Sequence, residues 1–130
     1  MTQRDKQLLL KDICARLPYG VKCTHKACPN SIKTIATVYP NETVIIGVIE
    51  VYLNDINIYL RPMSSMTEEE KKEYDETFDC IVSTRGVEIN HERRPTYETY
   101  DWLNEHYFDY RELIEKGLAL QAPKGMYNIK

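Results

Sequence analysis

The stretch from Ser31 to Arg61 constrains the fold more than any other part of the chain. It holds three runs of β-branched and aromatic residues, Ser31–Tyr39, Glu42–Leu53 and Ile56–Arg61, separated by Pro40-Asn41 and Asn54-Asp55. β-Branched side chains are stiff at χ1 and favour extended backbone, whereas Pro, Asn and Asp favour tight turns. Two-residue turns would fix the register, with partner numbers summing to 81 across the first turn and 109 across the second. One face then carries Ile32, Thr34, Ala36, Val38, Ile45, Gly47, Ile49, Val51, Leu53, Ile56, Ile58 and Leu60. That face is almost wholly apolar, so the pattern predicts an antiparallel meander with this side on the core. The opposite face has an apolar half around Ile35, Val44 and Ile46, which a helix could cover. Its other half is polar and aromatic: Lys33, Glu50, Tyr52, Asn57 and Tyr59.

Helical patterns flank the meander. Leu8, Leu9, Leu10, Ile13, Cys14 and Leu17 form an apolar stripe over about Thr2–Leu17, ended by Pro18-Tyr19-Gly20. A short strand, Val21–Thr24, is expected next. Thr67 and Glu70 have capping-box spacing, and Glu68, Glu69 and Glu70 suit the positive end of a helix running to about Phe78. Residues 80–91 suggest one or two short strands turning near Arg85-Gly86. Thr96–His106 is helical by pattern, with Tyr100, Leu103 and Tyr107 as its stripe. Asp109 and Glu112 suggest a second capping box before a stop at Gly117, and Leu118–Lys130 reads as an extended tail. The expected fold is one α+β domain over residues 1–130: an N-terminal helix, a meander of three or four strands, and two or three C-terminal helices.

With 17 Lys+Arg against 20 Asp+Glu, the net charge of −3 lacks the basic footprint of a general duplex-DNA binder. Charge is uneven, +3 over residues 1–62 and −6 over residues 63–130, and the acidic part is largely predicted helix, where solvated faces account for it. The start of the chain mixes charged and apolar residues, unlike a signal peptide, and the longest apolar run, Val44–Ile49, is far shorter than the ~20 residues of a membrane span. Four cysteines without an export signal read as reduced thiols. A cytoplasmic location follows as the expectation.

Ten Tyr against two Phe and one Trp direct attention to binding. In the expected register Tyr52 and Tyr59 lie on neighbouring strands with Lys33, Glu50 and Asn57 nearby. Such aromatics can stack on nucleotide bases, at about 1–3 kcal/mol each, or anchor a protein interface. Covered by helices, they would instead be core. Cys23, His25 and Cys28 offer three zinc donors within six residues, with Cys14 or Cys80 as a fourth; the spacing is not that of a zinc knuckle. His91 and His106 are isolated beside Glu92 and Glu105, and Arg93-Arg94 reads as a solvated pair or a phosphate grip. The chain has no Gly-rich phosphate loop, nucleophile elbow or HExxH, so no catalytic set emerges and a non-enzymatic role is expected.

Three blocks, LLLKDICARLPYGVK (8–22), YLRPMSSMTEEEK (59–71) and DWLNEHYFDYRELIEKGLALQAPKGMY (101–127), resemble a family of short proteins encoded by phages and mobile elements of gut Bacteroidales. The family supplies no activity or binding residue to carry over. The resemblance implies a setting inside a bacterial host, where a small accessory protein would bind and block a host protein such as a defence component. Two other readings are a sponge that sequesters a nucleotide signal and a zinc-stabilised, nucleic-acid-associated protein.

Overall fold

The computed structural model describes residues 1–85 and 88–127, with side chains throughout those residues except 80–92. The expected turn at Arg85-Gly86 and the side chains of Cys80 and His91 lie outside the described residues. The architecture is α+β: an N-terminal helix, a mixed six-stranded sheet and two further helices beside a two-stranded hairpin.

Helix α1 spans Gln3–Arg16 and begins where Thr2 and Asp5 exchange capping hydrogen bonds. Leu9 and Ile13 are fully buried, each contributing about 1.5–3 kcal/mol relative to exposure. Cys14, expected on the core stripe, is exposed. Strands β1 (Lys22–His25), β2 (Cys28–Tyr39), β3 (Thr43–Ile46), β4 (Ile49–Tyr52), β5 (Ile56–Leu60) and β8 (Ala119–Gln121) form the sheet in the order β4-β3-β2-β1-β5-β8. Within this sheet β5 and β8 pair in parallel and the other described neighbours are antiparallel.

Two departures from the expected meander have local causes. The run Glu42–Leu53 is two strands, because Gly47 takes φ +60° and the chain reverses at Gly47-Val48. Such a φ is favourable only without a Cβ, and two-residue hairpin turns need it. The first turn also takes three residues, with Glu42 at φ 67°, so Val38 pairs with Val44 and Tyr39 with Thr43. A register shift between Ile35 and Thr37 leaves Ile35 opposite Ile46. On β3, and on β2 before the shift, the faces are thereby the reverse of the expectation: Ile35, Val44 and Ile46 are core and Ile32 is exposed. Val38, beyond the shift, packs against the core as expected, while Ile49 on β4, also expected in the core, is exposed. On β5 the expected face holds, with Ile56, Ile58 and Leu60 buried.

The second departure is that β5 pairs with β1 rather than with β4; Cys23 lies opposite Ile58 and Thr24 opposite Asn57. Only the short 3-10 turn Leu53–Asp55 connects β4 to β5. Four Cα steps reach at most about 15 Å, whereas four inter-strand spacings in a flat sheet take about 19 Å. The sheet must therefore curl, and β2 makes this possible by pairing with β1 along its first part and with β3 along its last. Leu53, 1 % exposed, plugs the curl together with Val21, Cys23, Val44 and Ile58.

Helix α2 (Glu68–Glu76) starts at the expected Thr67–Glu70 capping box. Strands β6 (Asp79–Arg85) and β7 (Glu88–Arg94) form the separate hairpin, and α3 (Tyr97–Glu105) follows. The third helix expected after Asp109 is a series of turns. Asp109 accepts from the backbone N–H groups of Leu113 and Ile114, and Glu112 at φ 60° breaks helical continuity. A smaller cluster of Met66, Leu103 and Phe108 holds α2 and α3, with Tyr74 and Trp102 packed on it.

A buried ion network joins α1 to those turns. Asp12 accepts from Arg16 Nε at 2.9 Å, Arg16 Nη2 at 3.1 Å and Arg111 Nη1 at 2.8 Å, and Arg16 Nη2 also donates to Phe108 O at 2.7 Å. Arg16 and Asp12 are both 0 % exposed, and Arg16 Nη1 has no partner.

Candidate functional site

The five residues expected to form one binding patch are divided. Tyr52 pairs with Thr43, Glu50 with Ile45, Asn57 with Thr24 and Tyr59 with Leu120, and β4 and β5 share no ladder. The expected juxtaposition of Glu50 with Tyr59 and Tyr52 with Asn57 is corrected by this topology. Asn57 and Tyr59 are half-buried on β5. The Tyr59 carbonyl accepts from the hydroxyl of Tyr127, which in turn accepts from Lys22 N, clamping residues 122–127 across β1 and β5.

Lys33, Glu50 and Tyr52 remain at one open end of the sheet. β4 is its terminal strand, and Val48 at the hairpin tip is 97 % exposed, Tyr52 65 % and Ile49 55 %. Lys33 borders the tip: a Cβ on Gly47 would meet its Cδ at 4.0 Å. Because the hairpin reverses so early, no described strand flanks the first part of β2 on the side away from β1, and Ile32 there is 51 % exposed. An edge of this kind presents unpaired N–H and C=O groups beside apolar side chains.

A second feature is a cleft of about 610 Å³ between α2 and residues 121–127. Arg61 follows β5 and forms its floor, fixed by backbone bonds to Tyr107 and Asp109 and lying over the Phe108 ring. Its guanidinium donates two 2.8 Å bonds to Glu70 and a longer one to His106 O. These bonds hold the Glu70 carboxyl below the usual carboxylate range, assisted by Thr67 and opposed by burial. The capping residue of α2 thus also clamps the helix to β5.

His106 sits against the same cleft, 9 % exposed and stacked on Trp102 at 4.1 Å. Its Nδ1 is 2.9 Å from Trp102 O. A carbonyl only accepts, so the bond assigns a proton to Nδ1. Nε2 lies 4.0 Å from Glu73 Oε2, which accepts from Trp102 Nε1 at 3.3 Å. Sequence reasoning passed over Glu73, Trp102 and Arg61. The signal was present, since Glu70 and Glu73 share a helix face, as do Trp102 and His106.

No family model, curated protein or solved structure matches the chain. Chemistry at the residues themselves therefore carries the functional reading. Cys23 is buried in the core, which pushes its thiol up to about 11, while Cys14 and Cys28 are exposed. His25 Nδ1 accepts from Ala27 N at 3.0 Å. No three His, Cys, Asp or Glu side chains gather as a metal site among the described residues. Arg93 donates to Asp75 and lies over Phe78, which engages half of the expected phosphate grip. No helix among the described residues is long and apolar enough to cross a membrane.

Proposed function

We propose that the chain is a non-enzymatic binding protein that docks on a protein partner through the open sheet edge at the β3–β4 hairpin. In the phage or mobile-element setting implied by the resemblance, the partner is a host protein, such as a defence component, and binding blocks it. The exposure of Ile49 and Tyr52 on the terminal strand, and of Val48 at its hairpin tip, carries this reading. A short strand edge with apolar and aromatic side chains suits β-addition, in which backbone bonds supply affinity and side chains supply selectivity. The nucleotide-sponge reading has less support: Tyr52 and Tyr59 lie on strands that are not neighbours, and α2 lines the main cleft with carboxylates.

The test is affinity capture from the bacterial host, comparing the native chain with a double variant Ile49→Lys, Tyr52→Ala. Hot-spot side chains are worth about 2 kcal/mol or more each, so the double variant should weaken capture of the stoichiometric partner roughly a thousandfold. Tyr97→Ala, altering an exposed tyrosine on α3, should retain it. Equal recovery by the hairpin variant, or turnover of a nucleotide by the pure chain, overturns the proposal.

A further inference from the structure

Resting on the docking proposed at the hairpin edge, we propose that the docked element is an extended segment of the partner, added antiparallel to β4 with a lysine or arginine opposite Glu50. The phase of the β3–β4 ladder fixes which backbone groups would receive it. Ile46 and Ile49 flank the two-residue turn and face each other, as do Val44 and Val51 two steps on. Leu53 N donates to Glu42 O at 3.1 Å, a further two steps along the same ladder. Bonded pairs alternate with non-bonded pairs between antiparallel strands, so residues 49, 51 and 53 bond inward. The N–H and C=O groups of Glu50 and Tyr52 therefore point outward. β4 is the terminal strand, and no described residue pairs with these four groups.

Side-chain chemistry selects the occupant. Ile49 and Val51 share a face with buried Ile46 and Val44, while Glu50 and Tyr52 share the other. Ile49 is 55 % exposed although Ile46 opposite it is buried, so the apolar layer is left uncovered at the last strand. An added strand with apolar residues at alternate positions continues that layer. Glu50 is exposed and belongs to no ion pair among the described residues. Opposite charges directly across a ladder attract and like charges repel, so the matching side chain is a cation. A second copy of the chain fits less well. Setting Glu50 opposite Tyr52 forms the same four backbone bonds but leaves both carboxylates without a cation, and setting Glu50 opposite Glu50 opposes like charges. The net charge of −3 on each copy adds to that repulsion.

The probe is a blocked hexapeptide, Thr-Tyr-Val-Lys-Val-Thr, whose tyrosine and lysine would face Tyr52 and Glu50. NMR amide exchange reads the edge. In the free chain the Glu50 and Tyr52 amides should exchange at least about tenfold faster than those of Ile49 and Val51, and saturating peptide should slow them. N-methylation of the peptide lysine, whose N–H faces β4, should weaken binding about tenfold, whereas N-methylation of the preceding valine, whose N–H faces away, should change it far less. A peptide with glutamate in place of lysine should bind about fivefold more weakly, and Glu50→Lys should reverse that preference. Unprotected Glu50 and Tyr52 amides at saturating peptide, equal binding of the two N-methylated peptides, or no reversal by Glu50→Lys overturns the proposal. Protection of the two amides that rises with protein concentration alone identifies a second copy and also overturns it. Partner capture that depends on Ile49 and Tyr52 without peptide protection overturns the added strand but keeps the docking edge. Peptide protection with no captured partner supports the added strand and overturns the host-partner reading.

Discussion

The charge network under α1 makes the sharpest stability prediction. Asp12→Ala removes a carboxylate that receives three guanidinium N–H bonds at 2.8–3.1 Å. Arg16 is then left fully buried with only Phe108 O as partner. Removing one member of a buried pair costs about 3–5 kcal/mol, because the remaining charge is neither paired nor hydrated. Arg111 is 21 % exposed at its side chain and adds at most about 1 kcal/mol, since water can replace its lost partner. A fold of 130 residues is stable by roughly 6–20 kcal/mol, so this one change removes a substantial share. The double variant Asp12→Leu, Arg16→Met deletes both charges at similar volume and should lie close to the native chain. Urea denaturation followed by the fluorescence of the single tryptophan and by circular dichroism measures all three. Asp12→Ala should be at least about 3 kcal/mol less stable than the charge-free double variant. A cost below about 1 kcal/mol for Asp12→Ala, or a double variant at least as unstable as it, would refute this account of the network.

Glu70 sets an acid limb. Its folded carboxyl is held below the unfolded value, about 4.3, so its stabilisation is present above that value and lost as pH falls through the folded one. Glu70→Gln should flatten the loss of stability below about pH 5; an unchanged slope in acid melts would contradict this. Gly47→Val should cost about 1–2 kcal/mol and lower the melting temperature by several degrees, because φ +60° is strained for a β-branched residue although the space is open. Gly47→Asn should cost markedly less, and parity between the two would argue against the turn as the cause. Alkylation mapped by mass spectrometry at neutral pH should modify Cys14 and Cys28 quickly and Cys23 only on unfolding, since burial raises its thiol to about 11. Rapid native labelling of Cys23 would contradict its place in the core.

Elements governed by local chemistry were legible in the sequence. Helix α1, the Thr67–Glu70 cap and the buried face of β5 all depend on neighbours within a few positions and form as their patterns predict, although on α1 Cys14 is exposed while Asp12 and Arg16 are buried. The failures began at one glycine. Within a run as apolar as VIIGVIEV, Gly47 can fill a face position or reverse the chain, and alternation alone does not distinguish these. Once it reverses the chain, every partner expected beyond it changes, which is why Tyr52 and Tyr59 do not lie on neighbouring strands. Pro40-Asn41 marked a turn correctly, but Glu42 at φ 67° made it one residue longer and moved the core face. The cleft was less visible for a different reason. Glu73, His106 and Arg61 meet only through the packing of α2 against α3 and β5, and no spacing along the chain encodes that.

The curl of the sheet has a kinetic consequence. β1 to β4 are joined by consecutive hairpins and can assemble from neighbouring segments, whereas closure pairs residue 23 with 58 and then residue 58 with 119. Loop-closure entropy must be overcome before these distant pairs form, so topology places them late on the folding path. An early collapsed species would then display the apolar side of β5, notably Ile58 and Leu60, before β1 and β8 cover it. At high expression the vulnerable surface of this protein is that unpaired inner strand, and an increased supply of chaperone should raise its soluble yield.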